Sequence, residues 1–288
     1  MRSSIIQASL LASLLFAVGT VGTVAQAADL RGPAPTEASL KATNGPFAIS
    51  SSRVTLPSGY GGATVYYPSS KAEGKFGIVV LAPGFTASQS SYSWLATRVA
   101  SHGFVVVNID TTTTLDQPDS RATQMMAALN QVTNLSQRTS SAYYNVVDVS
   151  RRAVMGHSMG GGGTLTAATR NPPLRAAVPL TPWHTTKNFS GDAVPTMILA
   201  CQSDTVAPNA SHASAFYSSL KTSLPRAYVE LAGADHFCPT RIASTATRAL
   251  VGRAAISWLK LFVDQDERYR SLLNATGGSA YSSVKKSF

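Results

Sequence analysis

Acidic residues are scarce in this chain: 14 Asp and Glu stand against 24 Lys and Arg, and only 13% of the 288 residues are charged. The imbalance leaves a formal charge of +10, a sign that suits nucleic acid or an anionic surface. The basic residues are nevertheless scattered, apart from pairs such as Arg151-Arg152 and Lys285-Lys286. No aromatic-basic repeat of an RNA-binding module accompanies them, so nucleic acid is not an expected partner and the charge reads as an aid to solubility or to loose adsorption on a negative surface. Beyond the N-terminus the sequence lacks an apolar run of about 18 residues, the length that spans a bilayer, and no stable membrane association is expected. Cysteine is nearly absent as well. Cys201 and Cys238 are too few for a structural zinc site, and no histidine spacing completes one; no metal site is expected. Linkers and internal repeats are missing too, so one large domain is expected, acting as a monomer.

What the chain does carry begins with an export pattern. Arg2 supplies a basic start, residues 5–24 are mostly apolar and small, and Ala25-Gln26-Ala27 matches a cleavage signal. Gly19, Thr20, Gly22 and Thr23 interrupt the apolar stretch, which favours a cleaved signal peptide over residues 1–27 rather than an anchor. The mature protein is then secreted, extracellular or periplasmic, and a Cys201–Cys238 disulfide is expected. Residues 28–45, rich in Ala, Pro and Gly, read as a flexible lead-in, and residues 271–288, rich in Ser and Gly, as a loosely held tail. Between them, over residues 46–270, strand-like runs alternate with helix-length segments. Strands are expected at 49–56, 63–67, 76–81, 104–109, 152–155, 176–180, 196–200 and 227–231, and helices at 92–101, 120–135, 162–170, 210–221 and 245–262. Continuous apolar strands between helices argue an α/β fold: a mostly parallel central sheet flanked by helices on both faces, with an antiparallel start.

The chemistry concentrates at Gly156-His157-Ser158-Met159-Gly160, a G-x-S-x-G motif between an expected strand and an expected helix. A sharp strand-to-helix turn there strains the serine backbone and exposes its Oγ, which is the nucleophile elbow of an α/β-hydrolase. Such a fold needs an acid and then a histidine after the serine. Of five histidines, His102 reads as a helix end, His157 lies inside the elbow, His184 follows a strand and His212 falls in a helix. His236 alone combines a late position, a loop after a strand and enough chain for an acid in between. Asp204 follows the strand at 196–200, at the carboxyl end of the sheet where functional groups collect. Asp192 precedes that strand and Asp235 adjoins His236, so both are weaker acids for the role. The proposed triad is Ser158, His236 and Asp204. Cys201 and Cys238 flank its two loops, so their bond would tie acid to base. The backbone N–H groups of Met159 and of Phe85, in Pro83-Gly84-Phe85-Thr86, are the candidate oxyanion hole.

These residues resemble the bacterial cutinases and poly(ethylene terephthalate) hydrolases over about residues 47–269. The shared marks are Ala82-Pro83-Gly84-Phe85-Thr86-Ala87, the elbow with Gly161-Gly162-Gly163, Thr181-Pro182-Trp183-His184, Asp204-Thr205-Val206-Ala207-Pro208 and His236-Phe237. The resemblance implies the same triad and oxyanion donors. It also implies a substrate surface of Phe85, Trp183, His212 and Phe216, with Trp183 beside the scissile ester and the His212/Phe216 pair behind it. No cofactor is implied. Calcium binding, which some relatives achieve through an E-L-D-G run, does not carry over to Glu230-Leu231-Ala232-Gly233. Residues 183–195 are too few for a helical lid, so an open cleft is expected. The expected activity is hydrolysis of polyesters (cutin-like, aliphatic or aromatic) and of short- to medium-chain acyl esters. The alternative is a general lipase or esterase acting on triacylglycerols.

Overall fold

A computed structural model of the chain describes Met1 and residues 30–288. The expected signal peptide thus lies outside the described residues, Met1 apart. In chain order the elements are α1 (Glu37–Lys41), β1 (Ile49–Arg53), β2 (Gly62–Pro68), β3 (Phe76–Ala82), α2 (Ser93–Ser101), β4 (Phe104–Asp110), α3 (Pro118–Leu135), β5 (Val147–His157), α4 (Met159–Arg170), β6 (Ala176–Leu180), β7 (Thr196–Cys201), α5 (Ala213–Ser219), β8 (Arg226–Leu231), α6 (Thr245–Phe262), α7 (Arg270–Asn274) and β9 (Tyr281–Ser287).

The strands form one sheet in the order β1-β2-β4-β3-β5-β6-β7-β8-β9. From β4 across to β8 all neighbours are parallel, whereas β1, β2 and β9 pair antiparallel at the two edges. Alternation along the strands divides the core. Val79 and Leu81 of β3 face α2 and α6, and Ile78 and Val80 face α3 and α4. Every residue of β3 is buried, as a strand covered on both faces requires. Parallel pairing brings the carboxyl ends of β3, β5, β7 and β8 to one side of the sheet, and the loops that follow these strands carry the candidate chemistry.

Two terminal segments depart from expectation. The lead-in contains α1, closed by a Thr36/Ser39 capping box, with Leu40 fully buried; Arg253 of α6 bonds Glu37 at 2.7 Å. The segment read as a loose tail contains α7 and β9, and β9 pairs with β8 from Arg226↔Ser287 to Leu231↔Tyr281. Its composition is polar because it is the exposed edge of the sheet, where lysines discourage further pairing. Lys286 Nζ donates to the carbonyls of Asn274 and Thr276 at 2.6 and 3.0 Å. Phe288 sets its ring against Trp258, centroids 5.3 Å apart. Smaller shifts occur as well: β5 runs unbroken into the elbow, and α5 spans only Ala213–Ser219.

Asp192, just before β7, is fully buried. It accepts from Val194 N–H at 2.9 Å and from the Thr196 hydroxyl at 2.8 Å. Both partners lie within four residues of it in the chain. Burial pushes its carboxyl from 3.8 up to about 6. A raised acid in the folded state favours folding below the unfolded value and loses that contribution as pH rises through 6. Asp192→Asn removes the ionisation. Urea midpoints are therefore expected to shift in favour of the variant, relative to wild type, between pH 4 and pH 8; an equal difference at both pH values would refute the assignment.

Candidate active site

The elbow follows from the junction of β5 and α4. Ser158 adopts φ 55°, ψ −118°, directly before the first residue of α4. Its N–H donates to Leu180 C=O at 3.0 Å, and its C=O accepts from Gly162 and Trp183 at 2.9 Å each. A Cβ on Gly156 or Gly160 would lie 2.4 Å from the carbonyl oxygen of Gly160 or Pro83, which explains both glycines of the motif. Three of the five non-glycine residues with positive φ among the described residues, Thr86, Ser158 and Thr181, cluster around this turn. Strain of that kind gathers at functional sites.

His236 Nε2 lies 2.9 Å from Ser158 Oγ, and His236 Nδ1 lies 2.7 Å from Asp204 Oδ2. The second oxygen of Asp204 accepts from Val206 and Ala207 N–H at 3.0 and 2.7 Å. A fully buried carboxylate held by three bonds cannot rotate, so it fixes both the ring plane of His236 and its tautomer: Nδ1 donates and Nε2 is left to accept a proton from Ser158. Asp235 instead turns back to accept from Phe237 N–H. Cys201, the last residue of β7, is bonded to Cys238, two residues past the histidine.

Met159 is the first residue of α4, and its N–H therefore has no intrahelical acceptor. In the turn after β3, Gly84 N–H donates to Tyr92 Oη at 3.2 Å and Thr86 N–H to Thr114 C=O at 2.9 Å. Phe85 N–H lies between them with no acceptor among the described residues. A cleft of about 370 Å³ opens over Ser158, lined by Phe85, Tyr92, His157, Val206, His236, Phe237, Arg241 and Ile242 among others. Phe85, Val206, Phe237 and Ile242 are 45–70% exposed, which makes the mouth an apolar rim. No carboxylate lines it.

The expected substrate residues are divided. Phe85 lines the cleft. Trp183 is half-buried, tied to Ser158 through its backbone, and its ring stacks on His212 at 6.0 Å and 24°. Phe216 is fully buried, edge-on to His212 at 5.7 Å. It packs behind His212, in the place the resemblance gives the pair behind Trp183. His184 is buried and structural, accepting from Thr186 N–H at 2.9 Å. The sequence reading missed Val206, Ile242 and Arg241, whose residue types carry no signal of their own, and Tyr92, which looked like an ordinary helix start.

The disulfide closes 37 residues between the acid and base loops, worth about 4 kcal/mol in the chain-entropy account. Replacing both cysteines by serine is expected to lower the melting temperature by roughly 10 °C. An unchanged calorimetric Tm would show that the loops are held without it.

Residues 23–287 match the family model described as PET hydrolase-like. The chain is 48% identical to a cutinase of Thermobifida fusca (strain YX) over 281 residues, covering 94% of this chain and 90% of the relative. Cutinase 1 of Thermobifida cellulosilytica is 51% identical over 245 residues, 84% of this chain and 90% of the relative. The bis(hydroxyethyl) terephthalate hydrolase of Streptomyces coelicolor (strain ATCC BAA-471 / A3(2) / M145) is 50% identical over 262 residues, 89% and 81% of the two chains. The chain belongs to the PET hydrolase-like family and is a carboxylic ester hydrolase of the α/β-hydrolase fold.

Proposed function

We propose that this protein is a secreted, monomeric serine esterase that cleaves the ester bonds of polyesters, aliphatic and aromatic, and of short- to medium-chain acyl esters. The carrying observation is the Ser158–His236–Asp204 chain at 2.9 and 2.7 Å beneath an open, apolar-rimmed cleft. Ser158 Oγ attacks the ester carbonyl while His236 Nε2 takes its proton. Asp204 stabilises the imidazolium that forms. The oxygen of the tetrahedral intermediate accepts from the N–H groups of Phe85 and Met159, the second at the positive end of α4. His236 then protonates the leaving alcohol, and the acyl group stays on Ser158. Water attacks that ester with His236 again as base, and the acid is released. The chain's own residues supply every proton transfer, so no cofactor enters.

Substrate class follows from the rim. An extended chain of apolar ester units can lie across Phe85, Val206, Phe237 and Ile242 without being enclosed. Only residues 181–195 join β6 to β7, and no helix forms there to cover the triad. Aromatic diesters fit such a surface, as the name of the Streptomyces coelicolor relative suggests. Export rests on residues 1–27 of the sequence, and among the described residues no helix is long and apolar enough to cross a membrane.

The test is soluble acid released from an aromatic-aliphatic polyester film, with tributyrin in parallel. Wild type is expected to act on both, and Ser158→Ala to lose a factor on the order of 10⁶ in kcat. Tributyrin cleavage with an untouched film would move the protein to a lipase or general esterase. Phe85→Ala keeps the backbone donor and removes the exposed ring. Film hydrolysis is expected to fall several-fold more than tributyrin hydrolysis; equal losses would deny the ring a role in holding polymer.

A further inference from the structure

Two buried residues link the oxyanion turn to the base without touching the reacting atoms in the scheme above. Tyr92 is fully buried and His157 is 3% exposed. Tyr92 Oη lies 3.2 Å from Gly84 N and 2.7 Å from His157 Nδ1. His157 Nε2 lies 2.9 Å from the carbonyl oxygen of His236. The bonds thus run from the residue before Phe85, through two side chains, to the backbone of the catalytic base.

The direction of each bond is determined. A carbonyl oxygen only accepts, so His157 Nε2 carries a hydrogen. Burial, with the His236 ring packed beside it, pushes His157 down to about 3, so the ring is neutral. A neutral imidazole has one N–H, and Nδ1 must then accept. Tyr92 O–H therefore donates to Nδ1, and its lone pair is free to accept the Gly84 N–H. Burial also raises Tyr92 to about 12, which keeps that proton in place. Every donor has an acceptor, and no alternative arrangement satisfies all four groups.

The packing is equally tight. A Cβ on Gly84 would lie 3.0 Å from His157 Nδ1 and 3.1 Å from Ser158 Cβ. The His157 ring lies 4.8 Å from that of His236 and 5.6 Å from that of Tyr92. Thr181 Oγ1 also donates to the His236 carbonyl, at 3.2 Å. The turn bearing Phe85 is exposed on its outer side, and its inner side rests on His157 and Tyr92.

We infer that Tyr92 and His157 are positioning residues: together they form a buried strut that fixes the Phe85 N–H and the His236 ring relative to each other across Ser158. This rests on the reading of Phe85 N–H as an oxyanion donor. Misplacing such a donor weakens binding of the transition state more than that of the substrate.

Tyr92→Phe deletes one oxygen and keeps the ring, so it preserves the packing. On a soluble ester it is expected to lower kcat on the order of tenfold, since displacements of about 1 Å can cost a hundredfold, with KM within about twofold. Affinity for an alkyl boronic acid, which places an oxygen in the oxyanion site, should fall by the same factor as kcat. His157→Phe should give a similar loss, and the double variant should be no worse than the worse single one, because either break frees the same turn. Unchanged kcat in Tyr92→Phe, a rise in KM alone, or additive losses in the double variant would overturn the strut. Failure of the esterase reading looks different: wild type would not cleave the ester, or Ser158→Ala would still do so.

Discussion

The backbone of Ser158 is the constraint on which the rest of this structure depends. A serine at φ 55° in the left-handed region is unfavourable by about 1–3 kcal/mol, and it persists only because its surroundings leave the chain no other course. β5 delivers it from the centre of the sheet, flanked by β3 and β6. α4 departs at once and packs on α3. The Ser158 carbonyl is gripped from two directions, by Gly162 in α4 and by Trp183 after β6. The resulting turn lifts Oγ clear of the sheet and points the first N–H of α4 at the same space. Ser158 Oγ and the Met159 N–H thus share one local distortion, and the glycines around it exist because backbone carbonyls occupy the positions side chains would need.

Scarcity of acids gives each carboxylate a defined place. Asp204 is spent on His236, Asp264 on the buried amino group of Lys260 at 2.7 Å, and Asp266 on Arg268 at 2.7 Å. None lines the cleft. Water-excluded carboxylates are stable only when paired or hydrogen-bonded, and these three are. A cleft without its own negative charge does not oppose the oxyanion that the reaction must form. The positive balance of the chain and the chemistry of its site are thus compatible.

Much of this was legible in the sequence for a physical reason: the informative signals are local. The apolar run of β3, the glycine-framed Ser158, and the acid and histidine each following a strand are patterns of a few residues whose meaning survives any tertiary context. β9 escaped because an edge strand with one face in water needs few apolar residues, and its pairing with β8 is a long-range choice. The lead-in helix α1 escaped because five residues make no periodic signal. The burial of Phe216 against Phe189 and His212 depends on long-range packing that no local pattern reveals. Tyr92 and His157 could not be paired from sequence at all. They are 65 residues apart, and their meeting depends on where the start of α2 falls against the end of β5.

His236 is carried by a loop, and loops are ordinarily the least stable parts of a fold. Here the loop is fastened on every side. Cys238 holds it to β7, the His236 carbonyl accepts from Thr181 beyond β6 and from His157 at the end of β5, and Trp94 of α2 donates from Nε1 to Pro239 C=O at 3.2 Å. The N–H of Arg241 reaches Ser91 C=O at 2.9 Å. Enzymes that close a lid assemble their site when substrate arrives. A solid polymer cannot be enclosed, so an enzyme working on its surface must have donors, base and nucleophile in register beforehand. Fastening the His236 loop to β5, β7, the turn after β6 and α2 meets that requirement, and it allows the mouth of the cleft to remain open.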